Sequence, residues 1–286
     1  MLATPFHGEH AEVDRESLRR AVELYESAGA VGVVALGVFG EAARLTVQER
    51  ALVVHEVVEA TSSCAVVVGL TAIDTEDACL EAEQAMAASS GRISAVMVQA
   101  NSSAVSELRS HLEAVHRACD LPIVLQDYPV ASGVRVSTDV IADAASLDCV
   151  VAVKCESPPT SPAIASLAAL TDVPLFGGLG GIGLLDELQA GAAGAMTGFS
   201  YPEALESVIS AWSAGGYEAA REAILPWLPL INFEAQIGVG LAIRKENLRR
   251  RGVLSDARVR PPGLPLPNAL LDLVAAHGRG IEGMVD

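Results

Sequence analysis

Short runs of Val, Ile and Leu alternate along most of this chain with longer segments in which apolar residues recur at helical spacing. A repeated change between these two periods is typical of strands joined by helical crossovers, which give a parallel sheet. The apolar runs predict eight strands, at Leu2–Pro5, Val31–Leu36, Ala65–Gly69, Ile93–Val98, Pro122–Gln126, Val150–Lys154, Val173–Gly177 and Gly194–Thr197.

The segments between these runs predict helices that begin with suitable capping residues. Asp14, Thr46 and Asp74 each stand directly before a helical segment, where a short side chain can accept a hydrogen bond from the first turn. The predicted helices are Arg15–Ala28, Val47–Thr61, Thr75–Ala88, Val105–Ala118, Ser137–Ala145 and Pro162–Leu170. Eight strand–helix pairs favour a TIM (β/α)8 barrel. An open doubly wound sheet remains the alternative, because counting strands does not show that the sheet closes.

The pattern changes from about Pro202 onward, where helical segments follow one another without strands. They are Ala204–Ala214, Tyr217–Leu228, Phe233–Arg251 and Pro265–Ala276, and a Pro-rich connector (residues 260–267) precedes the last of them. We expect residues 1–201 to form the barrel core. Residues 202–286 are expected to be a C-terminal helical extension that packs on the barrel as one structural unit and offers surface for oligomer contacts.

Composition narrows the possible partners. The 286 residues include 36 acidic and 19 basic side chains, a formal net charge of −17. So large an acidic excess argues against binding of nucleic acid or anionic membranes, which requires basic surface. The five cysteines are widely spaced and form no CxxC pair, which suits reduced thiols in a cytosolic enzyme. No signal peptide or membrane span is evident, so we expect a cytoplasmic protein.

Reactive groups at strand ends are the candidates for chemistry, because TIM-barrel sites lie at the C-terminal ends of the strands. Lys154 closes the run VVAVK, and an amine inside a barrel mouth would be a nucleophile towards carbonyls, with a lowered pKa. A strand-end lysine that reaches solvent is the plainer alternative. Tyr128 follows the fifth strand and could move protons beside such an amine. Its alternative is a rim tyrosine that packs on Pro129.

Two glycine-containing loops also follow strands. LGVFGE (residues 36–41) leaves backbone N–H groups available for an anion such as a carboxylate, or forms a tight turn capped by Glu41. FGGLGG (residues 176–181) could cradle a phosphate, but no Lys, Ser or Thr accompanies it, so close backbone packing is favoured. His7 and His10 could together bind a metal ion, but no third ligand accompanies them in the sequence. We therefore predict no metal site.

The ordered set of motifs resembles the dihydrodipicolinate synthase / N-acetylneuraminate lyase family. The set comprises ATPF, GVFGEAARLTVQER, VVVGL, DLPIVLQDYPV and VAVK, and it runs from about residue 3 to residue 205. This resemblance implies a Schiff-base lyase, with Lys154 as the imine-forming residue, Tyr128 as the proton relay and no cofactor. It also implies a homo-oligomer, a dimer or more usually a homotetramer. Positions that match the substrate pocket are Gly37, Val38, Phe39, Gly40, Gly177 and Met196.

Departures from the family pattern bear on the substrate. Val38 and Phe39 replace two threonines of the carboxylate-binding loop, and losing such donors could weaken pyruvate binding ~10–100-fold. Residues 100–102, Ala-Asn-Ser, replace the family's Pro-Tyr-Tyr and remove a tyrosine that a neighbouring subunit lends. Arg135 is out of register with the arginine that grips the aldehyde substrate of the lysine-pathway enzyme, and no arginine falls at the matched pocket positions. Phe39 suggests an apolar or aromatic substituent near the reacting carbon.

The function predicted from these residues is an aldolase or dehydratase that acts on a 2-oxo acid, such as a pyruvate adduct, through an imine of Lys154. Glu156 could act as a base or hold the lysine's charge, although a solvated loop carboxylate is the simpler account. The alternatives are dihydrodipicolinate synthase proper, which condenses pyruvate with aspartate semialdehyde, and a barrel that binds a keto acid without turnover. A phosphate-dependent barrel enzyme ranks last.

Overall fold

The computed structural model describes residues 1–281 and 283 and contains a curled, parallel seven-stranded sheet. Its strands pair in chain order, each with the next. They are β3 (Gly32–Ala35), β4 (Ala65–Gly69), β5 (Ala95–Gln99), β6 (Ile123–Asp127), β7 (Val150–Cys155), β8 (Leu175–Gly177) and β9 (Gly194–Ala195). Seven of the eight predicted strands are therefore present as hydrogen-bonded strands, within two residues of the predicted bounds at most ends.

The start of the chain lies between the two edge strands of this sheet. The nitrogen of Leu2 donates to the carbonyl of Val34 in β3 at 2.9 Å, and the nitrogen of Met1 donates to the carbonyl of Thr197, two residues after β9, at 2.8 Å. Residues 1–4 thus occupy the place of the first barrel strand. The predicted TIM barrel is confirmed.

Helices follow the strands and cover the outside of the sheet. Asp14, Thr46 and Asp74 cap their helices as predicted, and Thr46 forms a full capping box with Glu49. The helices of the barrel are α1 (Arg15–Ser27), α2 (Val47–Ala60), α3 (Thr75–Ser89), α4 (Val105–Cys119), α5 (Pro129–Ser132), α6 (Thr138–Ala145), α7 (Thr160–Ala168) and α8 (Leu184–Gln189). Among the helices that the structure describes, none combines the length and the apolar character that crossing a bilayer requires.

Successive side chains along each strand point to opposite faces of the sheet, which gives two apolar layers. One set of side chains fills the barrel interior and consists of Met1, Val34, Val67, Ala95, Met97, Val124 and Ala152, with Phe176 and Met196 packed against it. The other set faces the surrounding helices and joins their apolar faces in the largest core cluster. Lys154 follows Ala152 by two residues, so its side chain belongs to the interior layer.

The C-terminal helices depart from the sequence-based bounds in three places. The predicted helix Phe233–Arg251 is two helices, α10 (Leu228–Glu234) and α11 (Gly240–Arg250), separated at residues 235–239, where Gly238 has a φ of +85°. The segments on either side of Gly216 form one kinked helix, α9 (Pro202–Ile224). The last helix, α12 (Leu271–Arg279), begins later than expected, after the Pro-rich connector. A hairpin of β1 (Phe6–His7) and β2 (Glu12–Val13) was not predicted, because its strands are only two residues long.

A buried ion pair joins α11 to the loop that follows β3. The carboxylate of Glu41 receives a hydrogen bond from Nζ of Lys245, and both side chains are fully buried. Glu41 also pairs with Arg44 at 2.7 Å and accepts from the backbone nitrogen of Arg260 at 2.9 Å. Burial is the main cause that lowers the pKa of Lys245, to about 8, and the charge of Glu41 opposes it.

We expect Glu41→Gln to lower the free energy of unfolding by ~3–5 kcal/mol, because it leaves the buried ammonium of Lys245 without its anionic partner. Urea unfolding at neutral pH measures the change. The matched control is Glu59→Gln, which breaks the pair of Glu59 with Arg92, in which both side chains are about half exposed. That substitution should cost about 0–1 kcal/mol. Equal effects of the two substitutions would contradict the role given to Glu41.

Candidate active site

Lys154 lies near the end of β7 with its side chain inside the barrel, and only 1% of the residue is exposed. Its Nζ is 2.7 Å from Oε2 of Glu156 and donates to Sδ of Met1 at 2.9 Å. Burial lowers the pKa of Lys154, and the charge of Glu156 partly opposes that shift. The lysine therefore does not reach solvent, and its amine is shifted towards the neutral, nucleophilic form.

Glu156 is buried, which corrects the expectation of a solvated loop carboxylate. Its residue is 4% exposed, and its two oxygens have separate partners. Oε2 accepts from Nε2 of Gln126 at 2.7 Å, beside Lys154, while Oε1 accepts from the backbone nitrogen of Leu179 at 3.2 Å. A carboxylate held at both oxygens next to an amine is well placed to exchange a proton with it.

Gln126 was missed by the sequence analysis. It pairs directly with Lys154 in the register of β6 and β7, and it is 2% exposed. The same register places Gln99 of β5 beside Gln126 and Phe176 of β8 beside Lys154. These four side chains form a row across the upper interior of the barrel. A polar residue that ends an otherwise apolar strand was the available signal for Gln126.

Two further buried carboxyl groups surround this row. Burial, reinforced by the charge of Glu156, raises the pKa of Asp127 to about 6. Burial also raises the pKa of Glu187, whose Oε1 accepts from Oγ1 of Thr160 at 2.6 Å. Both groups are therefore easier to protonate than a solvated carboxyl group.

Tyr128 lies directly before α5, half-buried, one residue past the end of β6. Burial raises the pKa of its phenol, and the negative charge of Glu156 adds to the shift. Its hydroxyl makes no hydrogen bond within residues 1–281. The tyrosine is thus close enough to feel the charge of Glu156, while Gln126 occupies the strand position beside the lysine.

The loop after β3 contains four of the candidate pocket residues. Gly37 faces the interior, because a Cβ atom built there would lie 2.1 Å from the methyl group of Met1. Val38 is 49% exposed. Phe39 is half-buried, and the carbonyl of Gly40 accepts from Oγ1 of Thr4 at 2.7 Å, which ties the loop to the start of the chain.

The glycines after β8 allow close packing around the buried carboxylates. A Cβ at Gly177 would lie 1.8 Å from Glu187, and one at Gly178 would lie 2.2 Å from Glu156. Two carboxylates against this loop are unsuitable neighbours for a phosphate, so the loop is a packing element. Met196, the candidate that directly follows β9, is partly buried and packs on the interior layer.

Arg244 brings a cation to the loop after β3, at a position outside the matched pocket positions, none of which is an arginine. It comes from α11 rather than from a strand end, and its Cζ lies 3.8 Å from the centre of the Phe39 ring. The residue is 2% exposed. A motif search at strand ends could not find it, because about two hundred residues separate it from the loop it contacts.

The site therefore combines a desolvated amine, a carboxylate in contact with it and a guanidinium at the barrel mouth. An amine in such a setting can form an imine with a ketone, and the carboxylate can move the protons that imine formation requires. Among the described residues, no group of three or more His, Cys, Asp or Glu side chains is arranged to hold a metal ion.

Known proteins resemble this chain over its whole length. Residues 1–276 match the model of the dihydrodipicolinate synthetase family. The L-2-keto-3-deoxyarabonate dehydratase of Azospirillum brasilense is 30% identical over 281 residues, covering 94% of this chain and 89% of that protein. The 4-hydroxy-tetrahydrodipicolinate synthase of Methanosarcina acetivorans is 28% identical, covering 80% and 79%.

A solved structure is also similar to this chain in fold and sequence. Dihydrodipicolinate synthase from Rhodopseudomonas palustris has a TM-score of 0.89 at 30% identity, covering 98% of this chain and 95% of that chain. These matches confirm the resemblance that the ordered motifs predicted. The chain belongs to the dihydrodipicolinate synthetase family of TIM-barrel lyases.

Proposed function

We propose that the protein is a lyase, an aldolase or a dehydratase, that binds a 2-oxo acid as an imine of Lys154. The observation that carries the proposal is the Nζ of Lys154, buried at the end of β7 and 2.7 Å from Glu156. A buried amine with a lowered pKa, beside a group that can take its proton, is suited to attack on a ketone.

The reaction begins when the proton on Nζ passes to Glu156 and the free amine attacks the ketone carbon. Glu156 returns the proton to the carbinolamine hydroxyl, which leaves as water and gives a protonated imine. The imine accepts an electron pair from the adjacent carbon, released either by loss of a C3 proton or by cleavage of the C3–C4 bond. In the cleavage the C4 hydroxyl loses its proton and C4 leaves as an aldehyde, and in either case the carboxylate of Glu156 takes up the proton. The resulting enamine expels a C4 hydroxyl as water in a dehydratase, or takes up a proton at C3 in an aldolase.

Tyr128 is our proposed carrier of the protons at the substrate carbons. Its phenol keeps its proton at neutral pH, because burial and the charge of Glu156 both raise its pKa. A phenol of this kind can donate to a developing oxyanion or hydroxide and recover the proton afterwards. The imine itself is the electron sink, so we propose that no cofactor takes part.

The substituent on the 2-oxo acid falls into one of two classes. One face of the Phe39 ring is covered by Arg244, so its edge and other face are left for an apolar or aromatic substituent. The name of the A. brasilense relative, a dehydratase of a keto-deoxy sugar acid, supports a hydroxylated substituent instead. Turnover of a panel of aryl, alkyl and sugar-derived 2-oxo acids distinguishes the two classes of substituent. Turnover of the sugar-derived acids alone would exclude an apolar or aromatic substituent.

Dihydrodipicolinate synthase activity proper is the less favoured alternative. Ala100, Asn101 and Ser102 stand where the family has Pro-Tyr-Tyr, and Arg135 is out of register with the aldehyde-binding arginine. We further propose a homo-oligomer, a dimer or tetramer, in the cytoplasm. Five free cysteines among the described residues support a reducing compartment.

Borohydride added with pyruvate should give a stable adduct on Lys154, seen as a mass increase of the intact protein and located by peptide mapping. The chain has only two lysines, and the other, Lys245, is buried against Glu41. Lys154→Ala should therefore abolish the lysine adduct. A folded protein that gives no adduct with pyruvate or with any acid of the panel would instead be a keto-acid-binding barrel without turnover.

Glu156→Gln should shift the acid limb of the trapping rate to lower pH. The neutral amine is the reacting form, and removing the carboxylate charge takes away an interaction that raises the pKa of Lys154. The plateau rate should fall at the same time, because the proton acceptor is lost. The rate of borohydride trapping between pH 5 and 9 measures both effects, and an unchanged acid limb would contradict the role of Glu156.

Tyr128→Phe should leave trapping of pyruvate intact but slow the exchange of its methyl protons with deuterated water ~100-fold or more, the usual contribution of general acid–base catalysis. Proton NMR of pyruvate follows the exchange, which needs only the imine and the enamine. Ser132→Ala, one turn further in α5, is the matched control. An exchange rate in Tyr128→Phe equal to that of the wild-type protein would show that Tyr128 does not carry these protons.

A further inference from the structure

Arg244 has hydrogen-bonding capacity that the protein itself does not use. The residue is 2% exposed, yet neither Nη1 nor Nη2 has a hydrogen-bond partner within residues 1–281 and 283. A buried donor that is left without a partner is destabilising, and native proteins rarely leave such groups unpaired. Two unpaired nitrogens on one guanidinium point to a ligand that accepts from both.

A hydrogen bond from Nε of Arg244 to Glu234 sets the orientation of the guanidinium. Its Nε donates to Oε2 of Glu234 at 3.0 Å. Glu234 is itself held by the backbone nitrogen of Ser200 at 3.2 Å and by Nδ2 of Asn247 at 2.7 Å. Because Nε is committed to this fixed carboxylate, the two terminal nitrogens are directed away from it.

Three loops at the mouth of the barrel surround the terminal nitrogens. The Phe39 ring supports the plane of the guanidinium, 3.8 Å from Cζ. A Cβ at Gly180, after β8, would lie 3.3 Å from Nη2, and one at Gly198, after β9, would lie 3.0 Å from Nη1. At both positions the absence of a side chain lets the backbone lie close to the guanidinium without a clash.

We propose that Arg244 binds the carboxylate adjacent to the ketone of the substrate, through Nη1 and Nη2. This inference rests on the proposed function, since it assigns the second binding group of the same 2-oxo acid. The guanidinium lies on Phe39, in the very loop where Val38 and Phe39 leave no hydroxyl donors. A planar guanidinium matches a carboxylate with two parallel hydrogen bonds, which supplies the charge and the geometry that the loop lacks.

The test compares two ketones that differ only in that carboxylate, pyruvate and its neutral ester methyl pyruvate. Borohydride trapping on Lys154, read by intact mass at increasing ketone concentration, gives a half-saturating concentration for each. Arg244→Gln should raise the value for pyruvate ~10–100-fold, the loss expected for hydrogen bonds to a charged group. The value for methyl pyruvate should stay within about twofold, and its trapping shows that the site is still folded.

Arg249→Gln is the matched control. Arg249 lies in the same helix and pairs with Glu246 at 2.8 Å, and its side chain is 44% exposed. Its substitution should change neither value. If Arg244→Gln does not trap methyl pyruvate, its site is not folded, and Arg244→Lys is then the variant that tests the carboxylate role. That variant keeps a positive charge near Glu234 but lacks the two terminal nitrogens of the guanidinium. It should still raise the half-saturating concentration of pyruvate several-fold and leave that of methyl pyruvate unchanged.

The failures of the two proposals are distinguishable. A wild-type protein that traps neither ketone refutes the imine at Lys154, and the role of Arg244 with it. A wild-type protein that traps pyruvate, with Arg244 variants that leave its half-saturating concentration unchanged, refutes only the carboxylate role. Equal losses for pyruvate and methyl pyruvate would likewise show that Arg244 supports the fold and does not bind the carboxylate.

Discussion

The buried contact between Glu41 and Lys245 fixes the position of everything at the barrel mouth. Glu41 ends the loop after β3, and Lys245 lies in α11, so the pair holds a C-terminal helix against a loop near the start of the chain. Arg244 is the residue before Lys245, and Phe39 lies two residues before Glu41. One ion pair therefore sets the stacking of Arg244 on Phe39. Because both charges are desolvated, the geometry is tightly determined.

The environment of Lys154 also depends on a buried contact between an amine and a carboxylate, that of Lys154 with Glu156. A lysine that is isolated in an apolar interior would lose its charge altogether, and one beside a free carboxylate would keep it. Here Glu156 divides its hydrogen bonds among Lys154, Gln126 and Leu179. The amine is thus held between the two extremes, which is the condition that reversible addition to a ketone requires.

The order of strands and barrel helices could be predicted from the sequence, because each element carries its own periodicity and, at Asp14, Thr46 and Asp74, its own cap. Lys154 was found for the same reason, since it ends a strand. Gln126 also ends a predicted strand, but its role depends on its pairing with Lys154, and a single sequence does not contain that register. Arg244 could not be found in this way, because its role depends on a contact with a loop about two hundred residues earlier in the chain. The break before α11 was missed because Ala235–Val239 lacks a proline to mark it.

The scarcity of lysine has a consequence for the chemistry of the protein surface. Both lysines are buried, Lys154 against Glu156 and Lys245 against Glu41, while all the exposed cations of the described chain are arginines and histidines. Acylating reagents and enzymes that modify lysine side chains therefore meet no exposed target on the folded molecule. Acylation of either lysine side chain would report an opening of the barrel mouth, so lysine reactivity becomes a direct measure of how often that region unfolds.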